Sequence, residues 1–145
     1  MPSTITENPK ETKELASELA GKLIKKDHEA LIIALEGALG AGKTTFIKGF
    51  SKALGIREKI LSPTFVLIHK HKITNDNFKN LYHIDAYRLN SEKDLLKLGI
   101  KEIFINPENI VLIEWADQVK KIIPKTAIWV YFSHLEKNIR RIIIK

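Results

Sequence analysis

The sequence predicts a three-layer α/β fold built on a mixed sheet, parallel at its centre and antiparallel at its edges. Three observations lead there. Ala30–Leu35 (ALIIAL) and Ile110–Ile113 (IVLI) are unbroken apolar runs, the pattern of strands covered on both faces. Amphipathic helical segments flank the first run. β-prone segments joined by turn residues lie before and after the second, as expected of hairpins.

In chain order, Ser3–Thr6 reads as a short edge strand. Pro9 to Lys26 carries Leu15, Leu19, Leu23 and Ile24 at helical spacing. The strand Ala30–Leu35 follows, and Lys43 to Leu54 is helical, stopping near Gly55. Beyond Ser62-Pro63-Thr64, Phe65–Ile73 and Lys79–Tyr87 form two strands joined by the turn-rich Thr74-Asn75-Asp76-Asn77. Ser91 to Leu98 is a helix capped by Asn90 or Ser91, with Gly99 as its stop. Thr126–Phe132 and Ile139–Ile144 are the last strands, separated by a turn over His134–Asn138.

At 145 residues and 44% hydrophobic, the chain is expected to form one domain, 1–145, with a proper core. It has no cysteine, which excludes disulfides and cysteine metal sites. No apolar run approaches the roughly 18 residues of a membrane span. The start, MPSTITENPKETKE, lacks the basic and apolar regions of a secretory signal, so a cytoplasmic location is expected. The formal charge of +7 suits either an acidic partner such as nucleic acid or a solvated lysine-rich surface. The lysines are scattered and there are only four arginines, so charge alone decides nothing.

Chemistry enters with LEGALGAGKTTFIKGF, in which Gly37, Gly42, Lys43 and Thr44 fit G-x-x-x-x-G-K-[ST] between a buried strand and a helix. That context makes the fold a P-loop NTPase fold. Gly37, Gly40 and Gly42, with Leu39 and Ala41 between them, let backbone N–H groups face an anion at a helix N-terminus. Lys43 is expected to reach the β- and γ-phosphates and the Thr44 hydroxyl to ligate Mg²⁺, with Thr45 a helix residue near the phosphates. Glu114, ending the strand Ile110–Ile113, has the place of the carboxylate that holds Mg²⁺; the plainer reading is a polar strand end. Trp115 packs beside the site or caps the core.

In Tyr82-His83-Ile84-Asp85-Ala86-Tyr87-Arg88, strand alternation would put His83, Asp85 and Tyr87 on one face. They line a wet site where Asp85 orients water, or they form the solvated face of an edge strand. Arg88 steadies phosphate charge or, more simply, pairs with a surface acid. Ser62–Phe65 sits where P-loop switch segments sit, although a proline turn explains it equally well.

Taken together, GALGAGKTTF, SPTF, HIDAYRL and IEWAD, in this order and spacing, resemble the TsaE (YjeE) family of bacterial P-loop ATPases, from about Glu14 to the C-terminus. The resemblance implies ATP bound by Gly37–Thr45, Mg²⁺ on Thr44 and Glu114, an Asp85 needed for activity, and Trp115 near the nucleotide. It implies a switch-like role for Ser62–Phe65. It also implies slow ATP hydrolysis in service of tRNA threonylcarbamoyladenosine formation at position 37. The partners implied are a sugar-kinase-fold transferase and its inactive paralogue (TsaD and TsaB type), with tRNA reached through them. Other readings remain. A small-molecule kinase would need a lid and more arginines; a guanine switch would need N-K-x-D, which is absent; direct RNA binding rests on charge alone.

Overall fold

A computed structural model describes residues 3–24, 29–38, 40–57, 68–74, 77–89 and 91–145. Seven strands form one sheet in the order β1-β7-β6-β2-β5-β4-β3. They are β1 Ser3–Thr6, β2 Leu31–Gly37, β3 Ile68–Lys72, β4 Asn80–Asp85, β5 Asn109–Glu114, β6 Ile128–Glu136 and β7 Ile139–Ile144. The central pairs β6–β2, β2–β5 and β5–β4 are parallel. The outer pairs β1–β7, β7–β6 and β4–β3 are antiparallel. The predicted mixed sheet is therefore the observed one.

Alternation along β2 and β5 sends side chains into two cores. Leu31, Ile33, Leu35, Ile110 and Leu112 pack on one face against α1 (Pro9–Leu23) and α2 (Lys43–Ala53). Ile32, Ala34, Val111 and Ile113 pack on the other. There they meet α3 (Lys93–Lys97), α4 (Ile100–Ile105) and a 3₁₀ segment over Ala116–Ile122. This makes three layers of the P-loop NTPase type. Among the described residues no helix is long and apolar enough to cross a membrane.

The start of α1 is fixed by short-range chemistry. Asn8 Oδ1 accepts from Glu11 N at 2.9 Å, and Pro9 occupies the first helical position, where its missing N–H costs nothing. The α1–α2 contact is close because of Gly49. A Cβ added there would meet the Lys13 Cα and carbonyl oxygen at 2.6 Å, and backbone cannot rotate out of the way. Gly49→Ala is expected to destabilise the fold by about 1–3 kcal/mol, the usual cost of overpacking, read as a lower midpoint in urea with unchanged slope.

Several boundaries differ from the sequence reading. β2 runs on through Glu36 to Gly37, and β6 continues to Glu136, leaving only Lys137–Asn138 for the turn, with Lys137 at φ 42°. Pairing with β7 accounts for the extension, since ladder hydrogen bonds outweigh the polar character of SHLE. The predicted helix Ser91–Leu98 is the single short turn α3, and Ser91 Oγ accepts from Lys93 N at 3.3 Å. Gly99, at φ 81°, both stops α3 and opens α4, a helix the sequence reading left out. Asn90, Asn75–Asp76, Lys25–Lys26 and residues 65–67 of the first hairpin strand lie outside the described residues.

Candidate functional site

In the register of the sheet Leu35 of β2 stands beside Glu114 of β5, and Asp85 of β4 stands on the other side of Glu114. The C-terminal ends of β4 and β5 thus finish at one level while β2 runs two residues further to Gly37, at the end of the sheet where open α/β folds form their crevice. A cleft of about 370 Å³ opens there. Gly40, Gly42, Lys43, Thr44 and Thr45 line it from the loop and α2, and Asp85, Glu114 and Trp115 line it from the strand ends.

The loop is shaped by its glycines for two different reasons. Gly40 (φ 77°) and Gly42 (φ 106°) adopt left-handed backbone that side chains resist. Gly37 is needed for space: a Cβ there would stand 2.8 Å from the Phe132 carbonyl oxygen of β6. Gly42 caps α2 without any side-chain acceptor, so the first-turn N–H groups of that helix keep their capacity for an anion. Ala41 is 1% exposed and belongs to the core, and neither it nor Gly37 lines the cleft. Leu39 lies outside the described residues, as does the switch-like stretch Ser62–Phe65.

Lys43 begins α2, and its Nζ donates to the carbonyl oxygens of Gly37 and, at 3.0 Å, Ala38. The same ammonium stands 3.9 Å from the centroid of the Trp115 ring, a cation–π contact. Burial lowers the Lys43 pKa, while Glu114, Asp117 and Asp85 push it the other way. Trp115 reaches this place because its backbone turns left-handed (φ 57°, ψ 39°) directly after β5. A non-glycine residue there costs about 1–2 kcal/mol. The buried strand before it, the buried Ala116 after it and the Tyr87 ring at 4.7 Å hold it in place.

Glu114 is 3% exposed and held at both oxygens: Thr44 Oγ1 donates to Oε1 at 3.1 Å, and His83 Nε2 lies 2.6 Å from Oε2. Asp85 accepts from Tyr87 N at 2.9 Å, and burial raises its pKa, with the Glu114 charge adding to the rise and the Tyr87 bond opposing it. Among the described residues no three His, Cys, Asp or Glu side chains converge as a metal cage. Two hard oxygen donors side by side, with an anion site adjoining, instead suit Mg²⁺, which takes few protein ligands and fills the rest with phosphate and water. Thr44 and Glu114 would hold it.

Sequence comparison gives these residues a context. The TsaE family profile, described as Threonylcarbamoyl adenosine biosynthesis protein TsaE, matches residues 6–143. The chain belongs to the TsaE family. Its relatives include the tRNA threonylcarbamoyladenosine biosynthesis protein TsaE of Bacillus subtilis, 37% identical over 94% of this chain and 80% of the relative. The TsaE of Treponema pallidum is 34% identical over 87% of each chain. Among solved structures, Bacillus subtilis YdiB superposes with a TM-score of 0.75 at 33% identity, covering 97% of this chain and 82% of that one. The family acts in tRNA threonylcarbamoyladenosine biosynthesis.

Parts of this TsaE-family cleft were not legible along the chain. Pro9 and Thr12 wall it from α1, and Asn138 and Arg140 from the β6–β7 hairpin. Arg140 bridges to the loop, its Nη2 donating to Gly40 O at 3.0 Å and its Nη1 to Lys137 O at 2.7 Å. Arg88 also lines the cleft and makes no ion pair among the described residues, against the simpler expectation of a surface pair. His83, expected on a wet face, is fully buried. Tyr87 lies beyond the end of β4, so alternation does not align it with His83 and Asp85. The Asp85 carboxylate turns the chain there instead, and Tyr87 joins the cleft by packing on Trp115.

Proposed function

We propose that this protein binds Mg²⁺-ATP through its P-loop and hydrolyses it to ADP and phosphate. Hydrolysis drives the cycle of the threonylcarbamoyl transferase complex that modifies adenosine 37 of tRNA. The observation that carries the reading is the convergence of Lys43, Thr44, Glu114 and Asp85 on one cleft at the uncapped N-terminus of α2.

Each residue has a defined task. The backbone of Gly40–Lys43 and the α2 N-terminus bind the phosphates, and Lys43 balances charge that grows on the β–γ bridge as it breaks. Thr44 and Glu114 would hold Mg²⁺, which would supply positive charge to neutralise the phosphates. Asp85, across the cleft from the loop, orients the attacking water and accepts its proton; burial that raises its pKa makes it a better base. Trp115 and Tyr87 pack on each other and form the strand-end wall of the site. The nucleoside end of ATP would be held by the remaining walls of the cleft, Pro9 and Thr12 of α1 and Asn138 and Arg140 of the β6–β7 hairpin.

The partners are a sugar-kinase-fold transferase and its inactive paralogue, of TsaD and TsaB type. They meet tRNA on this protein's behalf, in the cytoplasm. Turnover by the chain alone is therefore slow, and the reconstituted pair accelerates it by up to about 10³-fold, the lower end of what a group supplied in trans contributes in P-loop NTPases. Phosphate release measured with and without the pair tests this. Equal rates, or transfer of the phosphoryl group to a metabolite in place of water, would overturn the reading.

A further inference from the structure

His83 is a fully buried histidine on the core face of β4, beside His69 of β3 on one side. Its partner on β5 is Leu112, two residues before Glu114, so His83 and Glu114 project on the same side of adjacent strands. Nε2 lies 2.6 Å from Glu114 Oε2, while Nδ1 is buried with no hydrogen-bond partner among the described residues. With Glu114 in the carboxylate form that a cation ligand requires, that oxygen can only accept, so the proton of this contact sits on Nε2. Filling the position alone would be done better by a leucine, like Leu81 two residues earlier, because a leucine strands no buried nitrogen.

We infer that His83 is a positioning residue: it holds the Glu114 carboxylate so that Oε1 is presented to Thr44 and to the divalent cation. The inference rests on the Mg²⁺-ATP reading above and adds the group that fixes the ligand's direction. A glutamate has one more rotatable bond than an aspartate, and freezing that bond costs free energy at the moment a cation binds. Anchoring Oε2 on a histidine that cannot move within the sheet freezes it beforehand. Hydrogen-bond partners of metal-ligating carboxylates commonly matter 10–100-fold for metal affinity.

The test measures metal binding without turnover. Mn²⁺ affinity of the ADP complex is read by electron paramagnetic resonance for the wild type, His83→Leu and His83→Gln, and ADP affinity is measured separately in EDTA. His83→Leu is expected to bind Mn²⁺ about 10–100-fold more weakly with its ADP affinity in EDTA unchanged. His83→Gln, whose amide nitrogen extends to about where Nε2 lies, recovers most of the loss. The inference is overturned if the leucine variant keeps wild-type Mn²⁺ affinity, if glutamine is no better than leucine, or if ADP affinity falls equally with and without metal. A wild type whose ADP binding ignores divalent cations refutes the Mg²⁺-ATP reading itself, and this role with it. A metal-dependent wild type with an unaffected leucine variant refutes the role of His83 alone.

Discussion

Lys43→Ala is expected to lower ATP turnover in the presence of the transferase pair by about 10²–10³-fold, the cost of losing one preorganised donor at a developing charge. The effect should not come from unfolding. Lys43 sits at the first position of α2, alanine is a better helix former, and the two carbonyl oxygens it bonds lie at the very end of β2 and in the loop just after it. Circular dichroism and the thermal midpoint of the variant should therefore stay close to wild type while nucleotide affinity and phosphate release collapse. Trp115 offers a second readout. The ammonium lies against its ring, so the variant should differ in tryptophan emission and lose the change that nucleotide causes. A variant that hydrolyses ATP normally would remove Lys43 from the mechanism.

Asp85→Asn carries the second large effect, with two consequences of opposite sign. Loss of the base should reduce partner-stimulated hydrolysis by about 10²–10⁴-fold while ATP affinity changes little. Stability should rise at neutral pH. Burial, the largest influence on Asp85, raises its pKa above the unfolded value, so the folded state holds its proton more tightly than the unfolded state does. Between the unfolded and folded values the native state binds more protons, and stability falls as pH increases through that window. The charged carboxylate thus opposes folding at pH 7, and asparagine, which still accepts from Tyr87 N through Oδ1, removes that opposition. Urea unfolding at pH 7 should show a more stable variant, and the gain should vanish below the unfolded value near pH 3.9. A variant less stable than wild type at both pH values would mean that Asp85 is a structural acid. The combination of greater stability with lost turnover marks residues that a fold retains for chemistry.

Local sequence carried much of the fold because the relevant signals were local. Ala30–Leu35 and Ile110–Ile113 read as buried strands since only a doubly covered strand keeps so many consecutive apolar residues, and β2 and β5 are the two at the centre of the sheet. The short α4 and the 3₁₀ segment after Trp115 were illegible because elements of six and seven residues show barely two turns of periodicity. The polar end of β6 looked like a turn, and only its pairing with β7 made it strand.

The site divides in the same way. The loop, Lys43 and Thr44 form a contiguous motif whose chemistry is set by neighbours one to six positions away. Glu114 was legible as an acid at a strand end, and Asp85 as an acid on one face of the strand Lys79–Tyr87. By itself the sequence thus determined a phosphate-binding loop between a buried strand and a helix, and two acids able to serve it. Only the tertiary structure decided that β4 and β5 end at one level beside β2, that His83 reaches Glu114 from the next strand, and that α1 and the β6–β7 hairpin close the far wall of the cleft. The reason is physical: these contacts join residues tens of positions apart, and their geometry comes from sheet order and register, which are set by the burial of whole strands and leave no trace in any short stretch of chain.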